Sequence, residues 1–81
     1  MKLRIAQYNS EEDQFVVQIK HWLLWNDMYF DPQTKTLHEE QAMLGDCITE
    51  RAAFGGFHEA HNYARIFKQR VKHKIHTTWE V

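Results

Sequence analysis

This 81-residue sequence contains few of the residues that crosslink, break or disorder a chain. Its single cysteine, Cys47, excludes an internal disulfide and favours a reducing compartment or a fold that does not need oxidation. One proline, three glycines and no low-complexity tract argue against a long linker, a second domain or disorder. We therefore predict one folded domain over residues 1–81.

Long apolar runs are absent as well. The opening MKLRIAQYN lacks the apolar core of a signal peptide, and no apolar run approaches the ~20 residues of a membrane-spanning helix. These absences predict a cytoplasmic protein without a membrane partner.

Large rings and an uneven distribution of charge are present instead. The chain is 14% aromatic, and each ring can bury about 150–250 Å², which suits the core of so small a domain. Residues 1–56 carry five Lys/Arg against nine Asp/Glu, whereas residues 57–81 carry five against two. The balance changes from −4 to +3 along the chain, which bears on partners and association rates rather than on fold.

The first part of the sequence predicts a β-hairpin. Residues 2–8 alternate between apolar and polar side chains, the polar segment 9–13 follows as a turn, and residues 15–24 return as the second arm. Three apolar side chains of the second arm are expected on one face: Phe15, Val17 and Ile19.

The end of this arm is less regular. Alternation is lost over residues 21–25, as in a strand that is covered on both sides or that bends. Asn26 and Asp27 then predict a turn, and residues 28–30 predict a short third strand.

The middle of the chain predicts a first helix. Thr36 and Glu39 have the spacing of a capping box, so the helix is expected to begin there and to end near Ala53. Its apolar side chains gather on one side: Leu37, Met43, Leu44, Cys47 and Ile48. Residues 46–54 also alternate, so a strand is the alternative for this segment.

Residues 57–72, FHEAHNYARIFKQRVK, predict a second amphipathic helix after the break at Gly55 and Gly56. Its apolar side chains fall within roughly 80° of one another at about 100° per residue: Phe57, Ala60, Ala64, Phe67 and Val71. Residues 75–81 alternate again and predict a closing strand. The expected fold is α+β, a small antiparallel sheet of the N-terminal hairpin and the C-terminal strand with two helices packed on one face.

A stripe of basic residues lies directly beside the apolar stripe of the second helix. It consists of five residues at helical spacings: His58, His61, Arg65, Lys68 and Lys72. A helix face that is only solvated has the same pattern. The functional interpretation is a surface that contacts phosphates or an acidic groove of a protein, although nucleic-acid binding normally requires a larger basic footprint.

An aromatic cluster is the second lead. Trp22 and Trp25 lie in a segment that holds more large apolar side chains than one face of a short strand can bury. Either all of them are buried within the domain, or one or two stay exposed as an aromatic anchor for a protein partner. An exposed strand edge beside them would also permit a homodimer.

No catalytic or metal-binding motif accompanies these leads. Two histidine pairs have the same spacing: His58 with His61, and His73 with His76. However, HEAH lacks the register of HExxH, and a single cysteine offers few thiolates for zinc. Cys47 falls on the predicted apolar face as a core thiol, and Glu39 and Glu40 suit a first helical turn. We predict no enzymatic activity, no metal and no cofactor.

Three segments together resemble the small accessory proteins of tailed bacteriophages: MKLRIAQYN…QFVVQIKHWLLW, FGGFHEAHNYARIF and TTWEV. The resemblance spans most of the chain in size and order of elements, and it contains no diagnostic motif. It implies a non-enzymatic binder in the host cell cytoplasm that occupies a surface of a nuclease, a polymerase or a defence complex.

The sequence therefore predicts a non-catalytic protein-binding module, and the resemblance implies that it inhibits a host or defence protein. Arg65, Lys68 and Lys72 would supply electrostatic steering, and Trp22 or Trp25 would supply a desolvated anchor. The alternative is a small nucleic-acid-binding protein that uses the same helix, with an affinity that falls steeply as salt rises.

Overall fold

Nine short strands precede one helix in the computed structural model, which describes residues 2–8, 10, 12–44 and 47–74. The fold class is α+β, as predicted, but the described residues form one helix rather than two. The elements are β1 (Leu3–Ala6), β2 (Phe15–His21), β3 (Leu24–Asp27), β4 (Tyr29–Asp31), β5 (Thr36–His38), β6 (Met43–Leu44), β7 (Cys47–Ile48), β8 (Glu50–Arg51), β9 (Ala53–Phe54) and α1 (Phe57–Lys74).

β2 is the central strand of the first sheet. It pairs antiparallel with β1 on one side and with β3 and β9 on the other. Leu3 lies opposite Ile19 and Ile5 opposite Val17, and these side chains pack into or against the core. The predicted N-terminal hairpin and its shared apolar face are therefore confirmed.

The connection between β2 and β3 is a two-residue turn, Trp22-Leu23, closed by the pairing of His21 with Leu24. Trp22 has a φ of 60°, whereas Leu23 has no positive φ, which is the φ pattern of a type II′ hairpin turn. The strand predicted through residues 21–25 is thus interrupted. The predicted turn at Asn26 and Asp27 is wrong, because both residues belong to β3.

β4 is the central strand of a second antiparallel sheet, in the order β5, β4, β8. It overlaps the predicted third strand. β6 and β7 pair with each other as a small separate ladder. The first predicted helix is wrong, since Thr36 and Leu37 lie in β5, and the strand alternative for the segment that ends at Phe54 is the better description.

The turn before β5 explains why no helix begins at Thr36. The Asp31 carboxylate accepts hydrogen bonds from the backbone N–H of Gln33 at 2.9 Å and from the Thr34 hydroxyl at 3.0 Å. Lys35, with a φ of 55°, donates its N–H to the Asp31 carbonyl at 2.8 Å. These local bonds reverse the chain, so that Thr36 pairs with Asp31 instead of capping a helix.

Exposure in the same segment is also inconsistent with a helix. Leu37 is buried opposite Phe30. Met43 and Ile48, which the predicted helix would bury on the same stripe, are 70% and 53% exposed. Pairing between distant strands therefore overrides the local helical pattern.

Three fully buried residues join the two sheets. The N–H of Met28 donates to the Val17 carbonyl at 2.9 Å, that of Ala52 to the Met28 carbonyl at 2.8 Å, and that of Val17 to the Ala52 carbonyl at 3.0 Å. Met28 separates β3 from β4, and Ala52 separates β8 from β9. The chain thus passes between the sheets at this point without leaving a buried backbone group unpaired.

The predicted second helix is confirmed as α1, which packs its apolar stripe onto the sheets. The core cluster consists of Val17, Ile19, Met28, Leu37, Ala52, Phe54, Ala60, Ala64 and Phe67, with Val71 partly buried against it. Small Ala60 and Ala64 let the helix approach the strands closely. The closing strand predicted over residues 75–81 lies outside the described residues.

Candidate functional site

A groove of about 540 Å³ runs between β1 and α1. Strand β1 contributes one wall and the exposed side of the helix contributes the other. The lining residues are Leu3, Arg4, Ile5, Phe57, His61, Ala64, Arg65, Lys68 and Gln69. The amphipathic pattern of the helix creates this arrangement, because the basic stripe begins where the buried stripe ends.

The floor of the groove is apolar. Leu3 and Ile5 are half-buried against the core, and Ala64 is buried. Phe57 is 49% exposed at one end, where its ring meets Phe15 edge-on at 6.0 Å between centroids. An apolar side chain from a partner would therefore find exposed apolar surface that it could bury.

The upper rim of the groove is cationic. Arg65 and Lys68 are exposed, and no carboxylate among the described residues forms an ion pair with either of them. Arg65 donates a hydrogen bond to the Asn62 side-chain oxygen at 3.0 Å, and this neutral partner does not offset the positive charge. The ring of His61 stacks on that of Phe57 at 6.0 Å.

Arg4 supplies a further cation from the strand side. Its Nε donates to the Gln18 side-chain oxygen at 2.7 Å, and its guanidinium carbon lies 4.4 Å from the centroid of the Trp25 ring. The stacked, hydrogen-bonded geometry holds the guanidinium in place on the face of the sheet opposite the helix. Cations therefore border the groove from both faces of the sheet.

Three of the predicted basic residues come together in the groove: His61, Arg65 and Lys68. His58 is exposed on α1, with its ring 6.1 Å from that of Phe57, but it does not line the groove. Lys72 lies on α1, and its side chain is outside the described part of the structure.

The two predicted tryptophans occupy separate environments. Trp22 is 93% exposed at the turn after β2, followed by Leu23 at 88% and Leu24 at 69%. Trp25 is half-buried, with Arg4 over its ring and the Lys20 ammonium at 5.9 Å. Neither tryptophan lines the groove, so an aromatic anchor at Trp22 would be a second contact rather than part of the groove.

Sequence reasoning did not find the strand wall of the groove. The alternation of residues 2–8 shows that Leu3 and Ile5 share one face and that Arg4 faces the other way. It does not show that β1 lies at the border of the sheet formed by the described strands, or that it lies next to the helix. Those facts depend on strand order, which has no local signal in this sequence.

A second groove, of about 610 Å³, is more polar and borders acidic side chains. Its lining residues are Tyr8, His21, Trp25, Asn26, Asp27, Tyr29, Glu39, Glu40 and Gln41. Glu39 and Glu40 thus follow β5 instead of forming the first turn of a helix, and Glu39 approaches the His21 ring nitrogen at 3.8 Å.

Asp27 is the centre of a polar network beside this second groove. Its carboxylate accepts hydrogen bonds from Tyr8 at 3.0 Å, from the Gln18 amide at 2.7 Å and from Arg51 at 3.0 Å. Burial raises the pKa of Asp27, but the hydrogen bonds from Gln18 and Tyr8 and the positive charge of Arg51 outweigh it and hold the pKa below 3.8. The network stabilises the ionised form of this carboxyl group, which makes it an acceptor rather than a proton donor near neutral pH.

The described residues also bear on metal binding and on membrane insertion. They contain no cluster of three or more His, Cys, Asp or Glu side chains that could hold a metal ion. The side chains of Cys47, His73 and His76 lie outside the described part of the structure. No helix in the described ranges combines the length and apolarity that crossing a bilayer requires.

Comparison with known proteins gives no match. No protein-family model, no curated protein and no solved structure is significantly similar to this chain.

Proposed function

We propose that this protein is a non-catalytic binding module whose groove between β1 and α1 captures an acidic segment of another protein. The observation that carries the proposal is the combination of an apolar floor with two exposed cations, Arg65 and Lys68, that have no carboxylate partner among the described residues. Cations aligned at helical spacing repel one another, and an acidic ligand relieves that repulsion.

The floor and the rim contribute to binding in different ways. Apolar side chains of a ligand would gain about 25 cal/mol for each Å² of apolar surface that they bury on the floor. Solvent-exposed ion pairs with Arg65 and Lys68 would add only about 0.2–1 kcal/mol each, but they would steer the ligand and fix its register. This division predicts a ligand that is both acidic and apolar.

The electrical asymmetry of the chain supports the same choice of ligand. The whole chain has a formal charge of −1, so it does not attract polyanions in general. Residues 1–56 carry a formal charge of −4, whereas residues 57–81, which include α1, carry +3. A protein segment of limited size and local acidity matches this surface better than the continuous phosphate backbone of a nucleic acid does.

Trp22 supports a protein partner at a second position. This residue is 93% exposed on a backbone with positive φ, and tryptophan is one of the residue types enriched in interface hot spots. Inhibition of a host or defence protein is the more specific form of the proposal, and its support is the resemblance to accessory proteins of tailed bacteriophages.

Selection from a random peptide library displayed on yeast tests the proposed ligand chemistry. The wild-type protein should enrich peptides that combine Asp or Glu with apolar residues. Arg65→Glu should weaken binding of a selected peptide by about 1 kcal/mol, or roughly fivefold, because it replaces a rim attraction with a repulsion.

Arg70→Glu is the matched control, since Arg70 is also exposed on α1 and the change in net charge is the same. This variant should bind within about twofold of the wild type if the effect at Arg65 is local. Equal weakening by both variants would contradict a defined groove and would indicate only long-range attraction.

A fluorescence titration with a single-stranded oligonucleotide at low salt separates the nucleic-acid alternative. Tight binding that weakens steeply as salt rises, together with no enrichment of acidic peptides, would reject the proposed function in favour of that alternative.

A further inference from the structure

We infer that the groove takes its ligand by strand addition, so that an extended acidic peptide pairs with the outer edge of β1 beneath α1. The inference rests on the proposed function and specifies the conformation and backbone partners of the ligand. It depends on the direction of the β1 backbone groups, which the hydrogen bonds of the sheet determine.

The pairing with β2 decides which residues of β1 point outward. The N–H of Lys20 donates to the Lys2 carbonyl at 3.0 Å, so Lys2 and Lys20 form a hydrogen-bonded antiparallel pair. Such pairs alternate with non-hydrogen-bonded ones along the ladder. Arg4 therefore bonds to β2 opposite Gln18, whereas the N–H and C=O of Leu3 and Ile5 point away from β2.

The opposite strand gives an independent check. Val17, which lies opposite Ile5, donates its N–H to Ala52 at 3.0 Å and accepts the N–H of Met28 at 2.9 Å. Both of these partners are on the side of β2 away from β1. Val17 thus leaves Ile5 without a backbone partner across the ladder, as the alternation requires.

No strand among the described residues covers the outer edge of β1. Leu3 and Ile5 together present two N–H donors and two C=O acceptors there, at the same place as the apolar floor of the groove. An extended peptide would satisfy these groups and extend the sheet by one strand. A helical ligand, whose backbone groups are already paired, would leave them unsatisfied.

The two faces of the sheet would read the side chains of the added strand. Successive side chains of a strand point to opposite faces. Those on the α1 side meet the apolar floor and, above it, Arg65 and Lys68, whereas those on the other side meet Arg4. Acidic residues are accommodated on both faces, so the ligand is an extended segment in which acidic and apolar residues mix.

Charge excludes a second copy of this chain as the preferred occupant. Antiparallel pairing of β1 with β1 of another molecule would bring the Lys2 and Arg4 side chains of that molecule beside Arg4, on the face of the sheet opposite α1. Like charges placed across neighbouring strands are destabilising. An acidic peptide removes this repulsion and makes use of the same edge.

Amide hydrogen exchange of the full-length protein, followed by NMR, tests the inference. The probe is a capped octapeptide of alternating valine and glutamate, and a peptide of the same composition rearranged to place its valines at helical spacing is the control. In the free protein the amides of Leu3 and Ile5 should exchange fast and that of Arg4 slowly. At a peptide concentration of 100 times Kd, exchange at Leu3 and Ile5 should slow up to about 100-fold, with Arg4 unchanged.

The outcomes distinguish the inference from the proposed function. If peptides bind the groove but Leu3 and Ile5 still exchange fast, or if the helical isomer binds better, strand addition is wrong and the binding module stands. If both amides are already as slow as Arg4 in the free protein, the edge is paired without a ligand and the inference is also wrong. If no acidic peptide of either pattern binds, the proposed function fails with it.

Methylation of the peptide amides provides a second measurement that needs no change to the protein. Two peptides are compared, one with N-methyl groups on its odd-numbered residues and one with them on its even-numbered residues. Only one of the two should lose binding, because only every second amide of an added strand faces β1. Equal loss with both peptides would overturn pairing with Leu3 and Ile5.

Discussion

Replacing Trp22 by alanine and by glycine isolates the backbone cost of the turn between β2 and β3. Trp22 is 93% exposed and has a φ of 60°, a conformation that residues with a Cβ atom rarely adopt. Both variants remove the same large side chain. The difference between them therefore reports only on the backbone.

The structure allows the size of the effect to be worked out. About 7% of the Trp22 side chain is buried, or roughly 18 Å² of about 250 Å², so truncation loses only about 0.4 kcal/mol in either variant. Positive φ costs alanine about 1–2 kcal/mol and costs glycine nothing, whereas the freer unfolded chain costs glycine about 0.5–1 kcal/mol. Glycine should be more stable than alanine by about 0.5–1 kcal/mol, or about 2–8 °C in Tm.

Urea denaturation followed by circular dichroism measures the difference, since the signal does not depend on the tryptophan that is removed. Leu23 is the control position, because it is 88% exposed in the same turn but has no positive φ. There alanine should be the more stable variant, by about 0.5–1 kcal/mol. If alanine is also the more stable variant at position 22, the backbone assignment of this turn is refuted.

Three further predictions concern the core, a buried hydrogen bond and acid stability. Phe67→Ala should lower the free energy of unfolding, measured by urea denaturation, by about 3–5 kcal/mol. This is much of the about 4–12 kcal/mol expected for a domain of this size. Ile66→Ala, at an exposed position of the same helix, should lower it far less. Thr49→Val should cost about 1–3 kcal/mol by the same measurement, because the Ala42 N–H loses the buried hydroxyl that accepts it at 2.8 Å, and an unchanged stability would contradict that hydrogen bond. The pKa of Asp27 in the folded protein lies below 3.8, so at a pH between this value and the pKa of Asp27 in the unfolded chain the unfolded state binds more protons. The free energy of unfolding should therefore fall as pH decreases below about 4. Asp27→Asn should reduce this pH dependence, and an unchanged dependence would show that the Asp27 carboxylate is not stabilised by folding.

The hairpin and α1 could be predicted because their signals are local. Leu3, Ile5 and Val17 follow the period of a strand with one buried face, and Ala60 and Phe67 follow the period of a helix with one buried stripe. Each pattern has a single structural solution over its length. The basic stripe followed from the same helical period, and three of its residues, His61, Arg65 and Lys68, line one groove in the structure.

The segment from Thr36 to Phe54 could not be predicted, because two local patterns compete there. The spacing of Thr36 and Glu39 suits a helical cap, but the Asp31 carboxylate closes a turn immediately before it. Leu37 then gains its burial from pairing with Phe30 in another strand. Contacts of this kind are set by strand order, to which a helical wheel is insensitive.

The candidate site was predicted on one side only. The helix wall followed from periodicity. The strand wall could not be predicted, because no local pattern shows that β1 is the outermost strand of the sheet that the described residues form. The same limit applies to Trp22, whose exposure depends on a turn that its own residue type disfavours. A sequence pattern that favours glycine would have marked this turn, and none is present.

The buried Gln18 side chain determines how the first three strands are aligned. Its side-chain oxygen accepts a hydrogen bond from Arg4 of β1, and its amide nitrogen donates to the Asp27 carboxylate of β3 and to the Tyr8 hydroxyl. The donor–acceptor distances are 2.7 Å or less. A register shift of one residue would turn the Gln18 amide towards the apolar core and leave its three hydrogen-bond partners without it. The aliphatic side chains of the core, in contrast, would tolerate several arrangements. The strand register of this small protein is thus determined by amide and carboxylate groups on the outer face of the sheet. A redesign that replaced them with apolar side chains would lose a unique register before it lost a compact fold.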